Sequence, residues 1–182
     1  MQHGSLKNNI LYISKCSAMG VVVFECQRCG HCCRHLLEDI NGVTNGLFLT
    51  IKEKKLFPRE LVFPQRAMGL KGPNRVISYQ LSLDRCPYIN DQNQCEIYSK
   101  RPLACRAFPY IIEDGKPKVS TKCQVIGSQM DVREYRVVNL AESEVEASWK
   151  IERYLQNRYK QYSKRKTYFW EYDLKSRIWY AC

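Results

Sequence analysis

Four thiols stand within eight residues in the run Cys26-Gln27-Arg28-Cys29-Gly30-His31-Cys32-Cys33, and four more follow at Cys86, Cys95, Cys105 and Cys123. Thiolate is the soft ligand of zinc and iron, and C-x2-C spacing sets two sulfurs on one tight turn, near enough to share an ion or an iron-sulfur cube. A disulfide across the same turn would be strained. Metal chelation is therefore the chemistry this run points to. Cys26, Cys29 and Cys32 match the C-x2-C-x2-C of ferredoxin-type cubes, and Cys86-Pro87 offers a remote cysteine followed by proline. Zinc ribbons usually pair two such knuckles, and the wide gaps from Cys86 to Cys95 and from Cys95 to Cys105 supply no second one. A 4Fe-4S cluster drawn from Cys26, Cys29, Cys32, Cys86 and Cys105 is the favoured reading, with zinc as the alternative.

Adjacent Cys32 and Cys33 are expected to point apart, so that one of them serves elsewhere, in a second four-thiolate site or in a redox or structural set. Cys16 and Cys182 are isolated near the termini and read as ordinary small hydrophobes. His31 and His35, four residues apart, would share a helix face, yet they read as solvated or supporting groups and not as ligands.

These thiols need elements to bring them together. Val21-Val22-Val23-Phe24 has the β-branched character of a strand leading into the knuckle, which is expected to continue into a helical turn over Arg34–Leu37. Thr50-Ile51-Lys52-Glu53 is a capping box opening a short helix that ends before Pro58. Prolines and glycines from Pro58 to Asn74 predict a loop, followed by a strand over Val76–Leu83. Asn90-Asp91-Gln92-Asn93-Gln94 is a polar turn between two apolar arms, a hairpin with Cys86 and Cys95 near its ends. Arg101-Pro102 starts a turn that carries Cys105 close to that hairpin. From Ser128 to about Ser163 the composition predicts one long helix or a pair.

At 182 residues and 45% apolar content the chain can build one ordinary domain with an extension. Ten cysteines fall below the density of a disulfide scaffold, no secretory signal opens the chain, and Ile10–Ile13 is too short to span a bilayer, so a reducing cytoplasm is the expected home. Met19 offers a second possible translation start. The formal charge is +11, and two four-thiolate zinc sites at −2 each would leave about +7. An acidic partner is favoured either way.

The stretches CQRCGHCCR and CPYINDQNQCEIYSKRPLACRAFP resemble the CxxCxxCC family of zinc- or iron-chelating domains, whose members share this knuckle, the Cys-Pro hairpin, the Cys-x-Ile-Tyr arm, the Arg-Pro turn and the Cys-Arg-x-x-Pro element. The resemblance covers roughly residues 24–125 and implies Cys26, Cys29, Cys32, Cys33, Cys86, Cys95 and Cys105 as metal ligands, with Cys123 as the later cysteine of many members. Some relatives are called iron-sulfur oxidoreductases, and flagellin lysine N-methylases carry a similar module. A methylation-related role is thus a third reading, although neither G-x-G-x-x-G nor C-x3-C-x2-C occurs here.

From Lys150 to Cys182 nine basic residues face three acidic ones, interleaved with aromatics from Tyr154 to Tyr180. Such a segment can neutralise phosphates and stack on bases, so RNA or a ribonucleoprotein is the expected partner if it binds one. Helical spacing of Trp149, Leu155, Tyr159 and Tyr162 favours packing on the cysteine domain instead. The expected architecture is α+β: residues 1–18 an N-terminal extension, 19–127 a small, loop-rich, metal-stapled domain with a short hairpin, and 128–182 a helical, basic and aromatic C-terminal extension.

Overall fold

The computed structural model describes residues 10–11, 21–23, 26–113, 116–120, 122–129, 137–139, 142–161 and 167–182. The strands are β1 (Ile10–Leu11), β2 (Val21–Val23), β3 (Glu38–Ile40), β4 (Val43–Asn45), β5 (Leu47–Leu49), β6 (Val62–Gly69), β7 (Arg75–Leu81), β8 (Tyr110–Glu113), β9 (Lys116–Val119), β10 (Val137–Asn139), β11 (Tyr168–Tyr172) and β12 (Trp179–Ala181). The helices are α1 (Leu103–Ala107), α2 (Gln124–Gln129) and α3 (Glu142–Lys160), joined by 3-10 turns. The fold class is α+β, as the sequence implied.

Its centre is a five-stranded antiparallel sheet in the order β12-β11-β6-β7-β5, more regular sheet than the sequence promised. The expected loop before Asn74 contains all of β6. Pro64 fits there because β11 pairs β6 only from Arg66 to Gly69, and the register with β7 shifts between Pro64 and Arg66. A proline that cannot donate is tolerated at such an irregular edge. The C-terminal aromatic residues also enter this sheet, since Phe169 lies opposite Met68 and Trp170 opposite Ala67.

The capping box forms as expected, with Glu53 Oε2 accepting from Thr50 N (2.9 Å) and Thr50 Oγ1 (2.8 Å), but the turn it opens is a 3-10 turn over Glu53–Leu56. The expected helical turn at Arg34–Leu37 comes earlier, as a 3-10 turn over His31–Cys33. Within the segment expected to be helical, β10 interrupts. Its valines pair in parallel with β2, Val137 opposite Val21, as β-branched residues in short runs prefer. Phe24, Cys16, Met19, Tyr162 and Lys164–Lys166 lie outside the described residues, as does most of the N-terminal extension.

Helix α3 packs over α1 and β8. Ser148 Oγ donates to Tyr110 O at 2.7 Å, while Tyr154 Oη donates to Ile77 O at 2.6 Å and accepts from Ile51 N at 3.2 Å. Leu155 is buried and Tyr159 stands edge-on to Phe169, with ring centroids 4.7 Å apart. Packing of the aromatic helix is therefore what the fold uses these residues for. One apolar cluster gathers Leu49, Phe57, Leu81, Cys86 and Ile89 with Cys33 and Leu36 at its edge; another gathers Tyr110, Cys123 and Ile126. Among the described residues no helix is long and apolar enough to cross a membrane.

Candidate metal centre

The cysteine knuckle turns on two residues with positive φ, Arg28 at 52° and Gly30 at 71°. Gly30 O then accepts from Cys33 N at 3.1 Å, and His31 O from Arg34 N at 3.0 Å, closing the 3-10 turn. A Cβ on Gly30 would lie 2.6 Å from Ile89 Cδ1, 2.9 Å from Asn93 Cβ and 3.0 Å from Asn93 O, so the knuckle sits directly on the 88–96 hairpin. Only glycine suits both the dihedral and the space.

Cys33 is the point at which the distant chain returns. Its carbonyl accepts from Cys86 N at 2.7 Å, Leu36 N donates to Asp84 O at 2.9 Å, and Leu37 N to Asp84 Oδ1 at 3.1 Å. Past Cys86 the chain makes the expected hairpin: Ile89 bridges Cys95, Glu96 N donates to Tyr88 O at 2.9 Å, and Asn90 N donates to Gln94 O at 3.0 Å. Asn93 takes a left-handed conformation with φ 64°, and its Oδ1 accepts a hydrogen bond from the Arg34 guanidinium. Pro102 caps α1, and Glu53 Oε1 accepts from Leu103 N at 2.7 Å. One carboxylate thus ties the Thr50 turn to the helix that carries Cys105.

The electrostatics report which thiols meet. The neighbouring thiols Cys32 and Cys33 act on each other, the interaction raising Cys32 and lowering Cys33, although Cys32 itself is exposed. Burial pushes Cys86 up to about 11, with Cys33 and Cys95 adding to the rise. Burial is also the main cause of the upward shifts at Cys95 and Cys105; Cys33 raises both, and Cys86 and Cys95 act further on Cys105. Arg101 opposes the upward shifts at Cys95 and Cys105, while at Cys33 Arg101 and Arg34 add to the fall.

Of the eight candidate thiols, Cys33 and Cys86 share an apolar cluster and are tied by the bond from Cys86 N to Cys33 O. Cys95 lies on the hairpin arm that pairs with Ile89, Cys105 lies on α1, and Cys26 and Cys32 are exposed on the knuckle. Cys29 stands exposed on the knuckle and is not among the neighbours of the other thiols. Cys123 is buried with Tyr110 and Ile126, in a different apolar cluster from Cys33 and Cys86. Cys182 is exposed beyond β12. The His31 and His35 rings meet at a tilt of 55° with centroids 4.8 Å apart, and His35 faces Asp84 at 3.8 Å. Among the described residues no three His, Cys, Asp or Glu side chains are already gathered as a single-ion site. Binding must draw the thiols closer. The donor set, all sulfur and partly desolvated, fits zinc or iron, and metal loading would release protons from the buried thiols.

Four residues that shape the site were not assigned to it from the sequence. Gly30 was visible as a glycine inside the knuckle, and Glu53 as half of a capping box. Arg34 and Arg101 carried no signal until the structure put their charge beside the thiols.

The fold defines a cysteine-rich domain in which the knuckle packs on the hairpin between Cys86 and Cys95. The family comparison agrees: residues 25–125 match the CxxCxxCC family, described as a "putative zinc- or iron-chelating domain", and the chain belongs to that family. No curated protein and no solved structure matches it.

Proposed function

We propose that this chain holds an iron-sulfur cluster, in a structural or redox role, with Cys33, Cys86, Cys95 and Cys105 as the inner ligand set and Cys32 and Cys26 beside it. The observation that supports the proposal is the seating of the cysteine knuckle on the hairpin: Cys86 N donates to Cys33 O at 2.7 Å, Gly30 abuts Ile89, and Ile89 bridges Cys95. The apolar cluster that includes Cys33 and Cys86 supports it. The C-x2-C-x2-C spacing of Cys26, Cys29 and Cys32 and the Cys86-Pro87 pair favour a cluster over zinc. When bound, such a cluster would supply one-electron chemistry, a rigid staple, or both. The protein's part is to hold the sulfurs and exclude water. Replacing Cys33 by serine in anaerobically purified protein should remove iron and sulfide together, and unchanged iron content would overturn this ligand set.

A second reading, an RNA-facing surface in a zinc-stapled module, draws support from the C-terminal hairpin. Tyr168 and Tyr180 are 54% and 43% exposed, and Lys175 and Arg177 are exposed on the turn that joins their strands. Exposed rings beside cations are the surface single strands prefer. Binding to a single-stranded RNA that weakens steeply with salt tests it, and salt-independent binding or none would remove it.

A further inference from the structure

Arg34 follows Cys33 directly, Arg101 is anchored on Tyr98, whose N–H donates to Cys95 O at 3.2 Å, and Arg28 belongs to the knuckle; among the described residues no carboxylate forms an ion pair with any of the three. The Arg101 guanidinium carbon lies 3.6 Å from the Tyr98 ring centroid, and its Nε donates to Tyr98 O at 3.0 Å. Arg28 reaches the same ring at 4.6 Å. Arg34, immediately after Cys33, is fixed by Asn93 of the hairpin turn. Carboxylates lie nearby, Glu96 next to Cys95 and Glu144 and Glu146 in the cleft that Arg101 lines, but none of them forms an ion pair with these guanidiniums, and Glu146 is paired with Lys150.

Charge arithmetic says which anion would match them. Four thiolates around a divalent ion, or around a cube of charge +2, carry −2 overall, and such a charge beside an apolar cluster is costly unless compensated. Arg34 and Arg101 supply +2. Resting on the metal reading above, we propose that Arg101 and Arg34 are the counter-cations of the metal-thiolate centre, positioning residues that make it electrically neutral within the protein. Arg28, on the exposed side of Tyr98, adds a weaker contribution. Arginine suits the task because it stays charged and stacks on aromatic faces.

The test titrates the full-length protein with Co2+ under reducing conditions, following the thiolate charge-transfer absorption, and measures melting of the metal-free protein in parallel. Removing an outer-sphere partner typically weakens a metal site by about 10–100-fold, so Arg101→Gln and Arg34→Gln should each weaken Co2+ binding within that range. Arg101→Lys should recover most of the loss, since charge is retained while the stacked fork is not. Wild-type affinity in both Gln variants would overturn the proposal. So would an Arg101→Lys protein as weak as Arg101→Gln, which would assign the effect to stacking and hydrogen bonding. A lower melting temperature of the metal-free variants with unchanged Co2+ affinity would likewise make these arginines purely structural. If Arg101→Gln does not fold, Arg34→Gln decides alone. A wild-type protein that binds no Co2+, and no iron on reconstitution, fails the metal reading itself and is distinguishable from these outcomes.

Discussion

Replacing Gly30 by alanine should damage the centre without touching a sulfur. Gly30 has φ 71°, where an alanine costs about 1–2 kcal/mol. Its new Cβ would also lie 2.6 Å from Ile89 Cδ1 and 3.0 Å from the Asn93 carbonyl. Ile89 is buried and Asn93 is held by Arg34, so neither neighbour yields freely, and overpacking of this kind adds about 1–3 kcal/mol. The sum is about 2–5 kcal/mol. For a chain of 182 residues it corresponds to a fall in melting temperature of roughly 5–20 °C. Gly42 is the internal control: its φ is 81°, but a Cβ there meets nothing within 4 Å, so Gly42→Ala should show the backbone cost alone. Thermal melts of both variants, with metal content measured on the same samples, separate the two contributions. A Gly30→Ala protein that melts no lower than Gly42→Ala and keeps its metal would refute the placement of the knuckle on the hairpin.

Glu53→Gln should cost about 1–3 kcal/mol, because a charge-assisted acceptor shared by Thr50 and Leu103 becomes neutral, and chemical denaturation will read it. Hydrogen bonds from the Ser176 hydroxyl and from the backbone of Ser176, Thr44 and Lys175 hold the Asp173 carboxyl well below the usual range, so its stabilisation is complete above about pH 4 and is lost as pH falls further. Wild type should therefore lose more stability than Asp173→Asn on acidification below about pH 4, and parallel acid melts would contradict this. Cys182→Ser should leave metal content and melting unchanged, whereas Cys33→Ser should lower both, as metal analysis and calorimetry will show. For the RNA reading, Lys175→Ala with Arg177→Ala should flatten the log-log salt slope by about 1.4 on a single strand, and Tyr168→Ala should weaken binding with little change in slope.

Much of the site was legible because metal ligands announce themselves by type and spacing. The hairpin between Cys86 and Cys95 followed from its polar turn, and the Thr50–Glu53 box from its two side chains. The partition among the thiols was not legible. The chain passing Cys86 meets the knuckle at the Cys33 carbonyl, not at Cys26 or Cys29, a long-range contact that no local pattern encodes. β6 was missed for a related reason: Pro64 and Gly69 read as loop residues until pairing partners gave the strand an edge on which proline is tolerated. The C-terminal aromatics looked like an extension because nothing in their composition names β6 as the strand they join. Arg34 and Arg101 resemble any surface cation until the thiols around them are seen.

The central claim is tested most directly by purifying the full-length protein anaerobically and measuring its absorption spectrum, iron, acid-labile sulfide and zinc on one sample. The account predicts a brown protein with iron and labile sulfide in equal amounts and little zinc. A colourless protein carrying stoichiometric zinc, or one with no metal that takes up none on reconstitution, would contradict it.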